Sequence, residues 1–320
     1  MANKLYEYLS PEASNVQIME SKDGKDLFMQ GLFIPQFTAF DKNNNVDYGA
    51  TVEHAKWLLS NGVSGLVPFG TFGEGASISL RERMKITEQL ADISHNSALI
   101  PTIITNSLGD IWEYLDFVSD LSVEAIMVIP PSYFKPIDNK SLIDFYKAVA
   151  DRTRHKIVAY NIPACSIKID VDVAKNIPIW GVKDSSGDIN SAKDYLESGV
   201  KILLGSDILL AKGIALGASG GICGLGNFFP KHLTKVYKLA KEGKNAEAEA
   251  LIQATVGVFD AILKPGFDFV KAIGCLKNAA PQIIPTKLGD MRLPCPTLRS
   301  TDAELKNLAS AVKELESQAI

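Results

Sequence analysis

The stretch Ile177–Asp188, IPIWGVKDSSGD, decides how the chain is read. It is an apolar run that reaches a lysine and then breaks into Ser, Gly and Asp. An apolar run this short, bounded by a proline and turn residues, fits a strand buried on both faces, as strands of parallel sheets are. An ammonium is costly to take out of water, so such a strand seldom ends in lysine without a chemical reason. Lys183 therefore marks both the end of a strand and the place to look for chemistry.

Seven more β-rich runs lie at fairly even spacing around it: GLFIPQF from Gly31, GLVPFG from Gly65, LIPTIIT from Leu99, AIMVIPP from Ala125, KIVAYNIP from Lys156, KILLGSD from Lys201 and GGICGLG from Gly220. Amphipathic, helix-like segments separate most of them, such as YGATVEHAKWLLSN and SLRERMKITEQLADIS. The second opens with Ser79-x-x-Glu82, the signature of a capping box. Strands alternating with helices imply parallel pairing, because parallel neighbours need a crossover. Eight such units predict an α/β fold of TIM type, a (β/α)8 barrel, over residues 29–235. An open doubly wound sheet is the rival architecture. Residues 1–28 read as a polar N-terminal extension and 236–320 as a C-terminal helical segment broken by the Pro-rich APQIIPTKLGDMRLPCPT.

With 320 residues, 46% hydrophobic and 22% charged, the composition is that of an ordinary soluble globule. A net charge of −4 and the lack of a basic cluster predict no nucleic-acid partner. No apolar core in the first residues suggests a signal peptide and no 18-residue apolar run suggests a membrane span, so a cytoplasmic location is expected. Cys165, Cys223, Cys275 and Cys295 are scattered, with no zinc spacing, and are expected as free thiols.

A barrel of this kind builds its active site at the C-terminal ends of its strands. Those ends read FGTFGEG, TN, PPSYF, YNIPAC, KDSSGD, GSD and GLGN, and none contains one of the four histidines. A Ser-His-Asp triad or a His-ligated metal is therefore not expected, and Tyr160 and Lys183 become the acid–base candidates. An ammonium taken out of water gives up its proton more readily, and the neutral amine attacks carbonyls to form a Schiff base. The competing reading of Lys183 is a surface lysine paired with Asp184, and that of Tyr160 is a packing residue. In GTFGEG, Gly70–Gly75, the glycines suggest a tight turn whose backbone N–H groups, with the Thr71 hydroxyl, could hold a small carboxylate. It lacks the G-x-G-x-x-G order of a dinucleotide site.

Together, GTFGEG, PPSYF, YNIP, GVKDSSGD and GSD…LGASGGICGLGN resemble, in order and spacing, the dihydrodipicolinate synthase and N-acetylneuraminate lyase family over about Gly31–Pro296. The resemblance implies a (β/α)8 barrel that forms a Schiff base with pyruvate or a 2-oxo acid through Lys183, with no metal and no cofactor beyond that covalent bond. It implies that Tyr160 transfers protons and that Thr71 binds the pyruvate carboxylate and relays protons. Ile222 would place its backbone carbonyl near the Schiff base, and Tyr133 would reach into a neighbouring subunit of a homo-oligomer, by analogy a tetramer.

Departures from the family pattern bear on the substrate. The synthases carry an arginine where this chain has Cys165, which argues against aspartate semialdehyde. The sialic acid lyases carry an acid where this chain has Ile208, leaving Asp207, with Gly205 and Ser206, for a shorter polyol tail. Phe72 replaces the second hydroxyl residue of the carboxylate loop but keeps its N–H. The remaining pattern is most similar to 2-keto-3-deoxygluconate aldolases, which implies a 2-oxo acid and an aldehyde as partners. Synthase activity, sialic acid lyase activity, dehydration of a deoxy sugar acid by the same lysine, and an idle barrel that only binds a 2-oxo acid are the alternatives.

Overall fold

Strands that are apolar on both faces need cover on both faces, and the nine strand segments have it. The computed structural model describes residues 29–262, 269–295 and 301–317; the N-terminal extension expected over 1–28 lies outside them. The segments are β1 (Gly31–Ile34), β2 (Gly65–Leu66), β3 (Ala98–Leu99), β4 (Thr102–Ile103), β5 (Ala125–Val128), β6 (Lys156–Asn161), β7 (Gly181–Asp184), β8 (Ile202–Leu204) and β9 (Gly220–Ile222). All pair in parallel, in the order β3-β2-β1-β9-β8-β7-β6-β5-β4.

The expected run from Leu99 appears as two segments, β3 and β4, around Ile100 and Pro101. Pro101 has no N–H to give to β5, although its carbonyl accepts from the Met127 N–H at 2.9 Å. The two ends of the sheet order thus lie on one stretch of chain, which bonds β2 on one side and β5 on the other.

Side chains alternate between two apolar clusters, as a period of two requires. Phe33, Met127, Val158, Tyr160, Leu203 and Ile222 share the inner cluster. Leu32, Ile34, Ile126, Val128, Ala159 and Val182 pack outward beneath the helices. Tyr160 pairs in register with Lys183, so both point inward, whereas Asp184 points to the other face.

Helices α1 (Tyr48–Ser60), α2 (Leu80–Ala91), α3 (Leu108–Val118), α4 (Asn139–Ala150), α5 (Val171–Lys175), α6 (Ile189–Glu197), α7 (Leu210–Ala215) and α8 (Pro230–Lys241) supply the outer layer. Their starts are written locally. Asp47, Ser107, Asp138 and Asp188 each accept from a first-turn N–H, and Ser79 with Glu82 forms the expected capping box. The boundary expected at 235/236 falls inside α8.

Three further helices follow, α9 (Asn245–Ile262), α10 (Phe269–Ile283) and α11 (Asp302–Ser317). Ile252, Ile273, Leu276, Val312 and Leu315 join the same outer cluster as the sheet residues, so these helices share its core. Among the described residues, no helix is long and apolar enough to cross a membrane.

Candidate active site

The C-terminal ends of β6 and β7 bring the proposed chemistry together. Lys183 is only 3% exposed, and its Nζ lies 4.1 Å from the centroid of the Tyr160 ring. No carboxylate pairs with it among the described residues. The pairing with Asp184 weighed from the sequence is absent because strand alternation turns Asp184 outward. There it accepts from Asn161 Nδ2 at 2.7 Å and from Ser186 Oγ at 2.9 Å. The Tyr160 hydroxyl is 3.0 Å from Thr71 Oγ1, a bond in which either can donate. Lys183, Tyr160 and Thr71, far apart in sequence, therefore form one contiguous group.

Thr71 stands on the loop that follows β2. The tight turn expected from its glycines is present, but its left-handed positions belong to Phe69 (φ 63°) and Glu74 (φ 53°). The glycines serve close approach instead: a Cβ on Gly75 would lie 1.7 Å from the Phe69 carbonyl oxygen. Bulky residues with positive φ carry strain that surrounding contacts must hold, a condition that clusters at functional sites. The loop is closed by bonds from Glu74 N–H to Thr71 O and from Gly75 N–H to Gly70 O, both 3.1 Å. No hydrogen bond engages the N–H groups of Thr71 or Phe72 among the described residues, which leaves two donors for an anion.

The Phe72 ring packs 5.7 Å from Phe37, and a Cβ on Gly224 would meet it at 2.3 Å. It therefore covers the turn after β9. Asp207, in the turn after β8, accepts from the Leu225 N–H at 2.9 Å and the Gly224 N–H at 3.2 Å. Burial pushes its carboxyl up to about 6, against the pull of those N–H groups and of Lys183 nearby. Gly205 is needed for contact, since a Cβ there would sit 1.9 Å from Ser185 Oγ, and half-buried Ser206 precedes the Asp207 turn.

Ile222 is buried in the inner cluster, and half-buried Cys165 packs against that cluster, where burial pushes its thiol up. Tyr133 is not brought to this group. It is 80% exposed on the loop after β5, its ring edge-on to Phe134 at 5.2 Å. Cys165, Cys223 and Cys295 are free thiols, and among the described residues no group of three or more His, Cys, Asp or Glu could hold a metal ion.

Two residues with no role assigned from the sequence also touch this loop. Glu74 is buried and paired with Lys277 of α10 at 2.6 Å. A signal for Lys277 existed: it falls on the apolar stripe of α10 with Ile273, Leu276 and Ala280, at the spacing that faces a core.

A 2-dehydro-3-deoxy-D-gluconate/2-dehydro-3-deoxy-phosphogluconate aldolase of Picrophilus torridus is 31% identical over 67% of this chain and 81% of its own. A 4-hydroxy-tetrahydrodipicolinate synthase of Methanococcus aeolicus is 28% identical over 89% of this chain and 99% of its own. Among solved structures, a variant of the Sulfolobus solfataricus 2-keto-3-deoxygluconate aldolase superposes with a TM-score of 0.80 at 25% identity, covering 90% of this chain and 97% of that one. The family model described as "Dihydrodipicolinate synthetase family" matches residues 28–314. The chain belongs to that family, whose members are lyases of the class I aldolase type.

Proposed function

We propose that the protein is a pyruvate-dependent aldolase that cleaves a 2-keto-3-deoxy sugar acid reversibly through a Schiff base on Lys183. One observation carries the reading: a buried lysine without a carboxylate partner lies over the ring of a tyrosine whose hydroxyl is bonded to Thr71. We infer also that the sheet closes as a (β/α)8 barrel, supported by the two ends of its order lying on one stretch of chain.

In this mechanism the Lys183 lone pair attacks C2 of the 2-oxo acid, and loss of the oxo oxygen as water leaves a protonated imine. Tyr160 gives its hydroxyl proton to the oxygen that departs as water, and the phenolate so formed takes the proton of the C4 hydroxyl. The C3–C4 bond breaks, its electron pair enters the iminium as an enamine, and the aldehyde leaves. Tyr160 returns the proton to C3, and water hydrolyses the imine to pyruvate and free Lys183. Thr71 holds Tyr160 in place, and the N–H groups of Thr71 and Phe72 seat the carboxylate.

For the aldehyde half, Ser206 and Asp207 bind hydroxyls in this reading. Ile208 in place of an acid favours a short polyol, and Cys165 offers no cation for a second carboxylate. The named activity of the Picrophilus torridus relative supports the same substrate class. A homo-oligomer, by family analogy a tetramer, is part of the proposal, with exposed Tyr133 and Phe134 as the surface that suits it.

Borohydride reduction in the presence of pyruvate should fix one pyruvate residue on Lys183, read by peptide mass. Lys183→Arg should give no adduct and lower kcat by roughly four orders of magnitude. Full turnover by Lys183→Arg would overturn the mechanism. A 2-oxo acid released with its carbon chain intact would replace cleavage by dehydration.

A further inference from the structure

Glu74 occupies a left-handed backbone conformation at φ 53° and is 6% exposed. Neither property suits an isolated carboxylate, so the surroundings must impose both. Its Oε1 accepts from Lys277 Nζ at 2.6 Å, and its Oε2 accepts from the Arg292 backbone N–H at 2.8 Å. Lys277 is 1% exposed. It also donates to the Thr38 carbonyl at 2.9 Å and lies 4.5 Å from the centre of the Phe40 ring. The Thr38 hydroxyl in turn donates to the Gly73 carbonyl at 2.8 Å.

These contacts converge on one loop. Glu74 is three residues past Thr71, and its own N–H closes the turn on the Thr71 carbonyl at 3.1 Å. On the other side of Thr71, the hydroxyl meets Tyr160. A single ammonium from α10 thus fixes Glu74 directly and Gly73 through Thr38, while the turn between them fixes Thr71. Buried ion pairs seldom add net stability over apolar packing, and in some proteins they are kept because they specify geometry, the role assigned to this pair in the proposal below. Here the geometry specified is that of the loop presenting both the Thr71 hydroxyl and the two unengaged N–H groups.

We propose that Lys277 is a positioning residue: through Glu74 it holds the loop of Thr71 and Phe72 in register with Tyr160, which makes the C-terminal helices part of the active site. The inference rests on the Schiff-base reading given above. It predicts damage concentrated on the seating of pyruvate and on proton transfer, with nucleophilic attack by Lys183 preserved.

The test compares the wild type with Lys277→Met and with the doubly neutral Lys277→Met/Glu74→Gln. The double variant removes the clamp without stranding a buried charge. Expected are a KM for pyruvate raised at least tenfold in both, a lower kcat, and a borohydride adduct still formed on Lys183 at saturating pyruvate. The double variant should recover a thermal midpoint near that of the wild type while staying kinetically impaired. Wild-type kinetics in Lys277→Met, or kinetic recovery along with stability in the double variant, would overturn the positioning role. Should Lys277→Met not fold, the double variant and Glu74→Gln alone carry the same comparison. If the wild type itself forms no adduct, the Schiff-base reading is what has failed.

Discussion

Asp207→Asn isolates the consequence of burying a carboxylate at the mouth of this site. The carboxyl titrates at about 6 rather than 3.8, chiefly because it is desolvated. A carboxyl with a raised folded-state pKa binds its proton more tightly when folded. The folded state is thus favoured at low pH, and that advantage is lost as the pH rises from 3.8 through about 6. At about 1.4 kcal/mol per tenfold, the full cost above that range is about 3 kcal/mol. Asparagine has no such titration. The acceptor lost by one of the two N–H groups of Gly224 and Leu225 costs about 1 kcal/mol at every pH and does not enter the pH dependence. Of the roughly 3 kcal/mol, the part above about pH 4.5 is about 2 kcal/mol. Urea unfolding should therefore show the variant gaining about 2 kcal/mol on the wild type between about pH 4.5 and about pH 7.5. A stability difference that does not change with pH would refute the claim that desolvation dominates. In parallel, the proposed polyol contact predicts a higher KM for the sugar acid with unchanged trapping of pyruvate.

Two other perturbations read separate parts of the molecule. Gly224→Ala places a Cβ 2.3 Å from Phe72 Cζ and should lower stability by about 1–3 kcal/mol. Adding Phe72→Thr should restore most of it, and a double-mutant cycle with no coupling would contradict the contact. Glu82 is held down at about 2, first by its hydrogen bonds from Arg292 and then by those of Ser79. Its contribution is present above 4.5 and lost as the pH falls through about 2, so Arg292→Met should move the acid-unfolding midpoint upward. An unchanged midpoint would mean that this pair is energetically idle.

What the sequence made legible was what short-range chemistry encodes. Lys183 stood out because a strand period predicts apolar neighbours and an ammonium breaks it. The capping box at Ser79 was readable because both partners lie within one turn. The loop around Thr71 was found by composition, tight turn included, but not the residues that take its left-handed positions. Its glycines are used for the approach of Gly73 and Gly75 to Phe69, while Phe69 and Glu74 take the left-handed positions. Nothing local announces that, because the contacts compelling it come from elsewhere. Glu74 and Lys277 are separated by 203 positions, and only the fold makes them neighbours. Pro101 split a strand that composition alone read as continuous, by removing one donor from its ladder.

The two buried lysines near this site explain each other. Lys277 has a carboxylate at 2.6 Å, a carbonyl at 2.9 Å and an aromatic face at 4.5 Å, so its ammonium is compensated on every side that matters. Lys183 is almost as buried, yet among the described residues it forms no ion pair: it has the Tyr160 ring at 4.1 Å and feels the Asp207 carboxylate only from a distance. Burial is nearly constant between them and compensation is not. A lysine serving the fold is surrounded by acceptors, since an unpaired buried charge is strongly destabilising. On the Schiff-base proposal, one left without an ion pair is held for a substrate that arrives later. In the same proposal the unengaged N–H groups of Thr71 and Phe72, on the loop whose Thr71 hydroxyl meets that tyrosine, are the matching half of that arrangement. They suit an anion as a lysine suits a carbonyl, and a 2-oxo acid carries both on adjacent carbons.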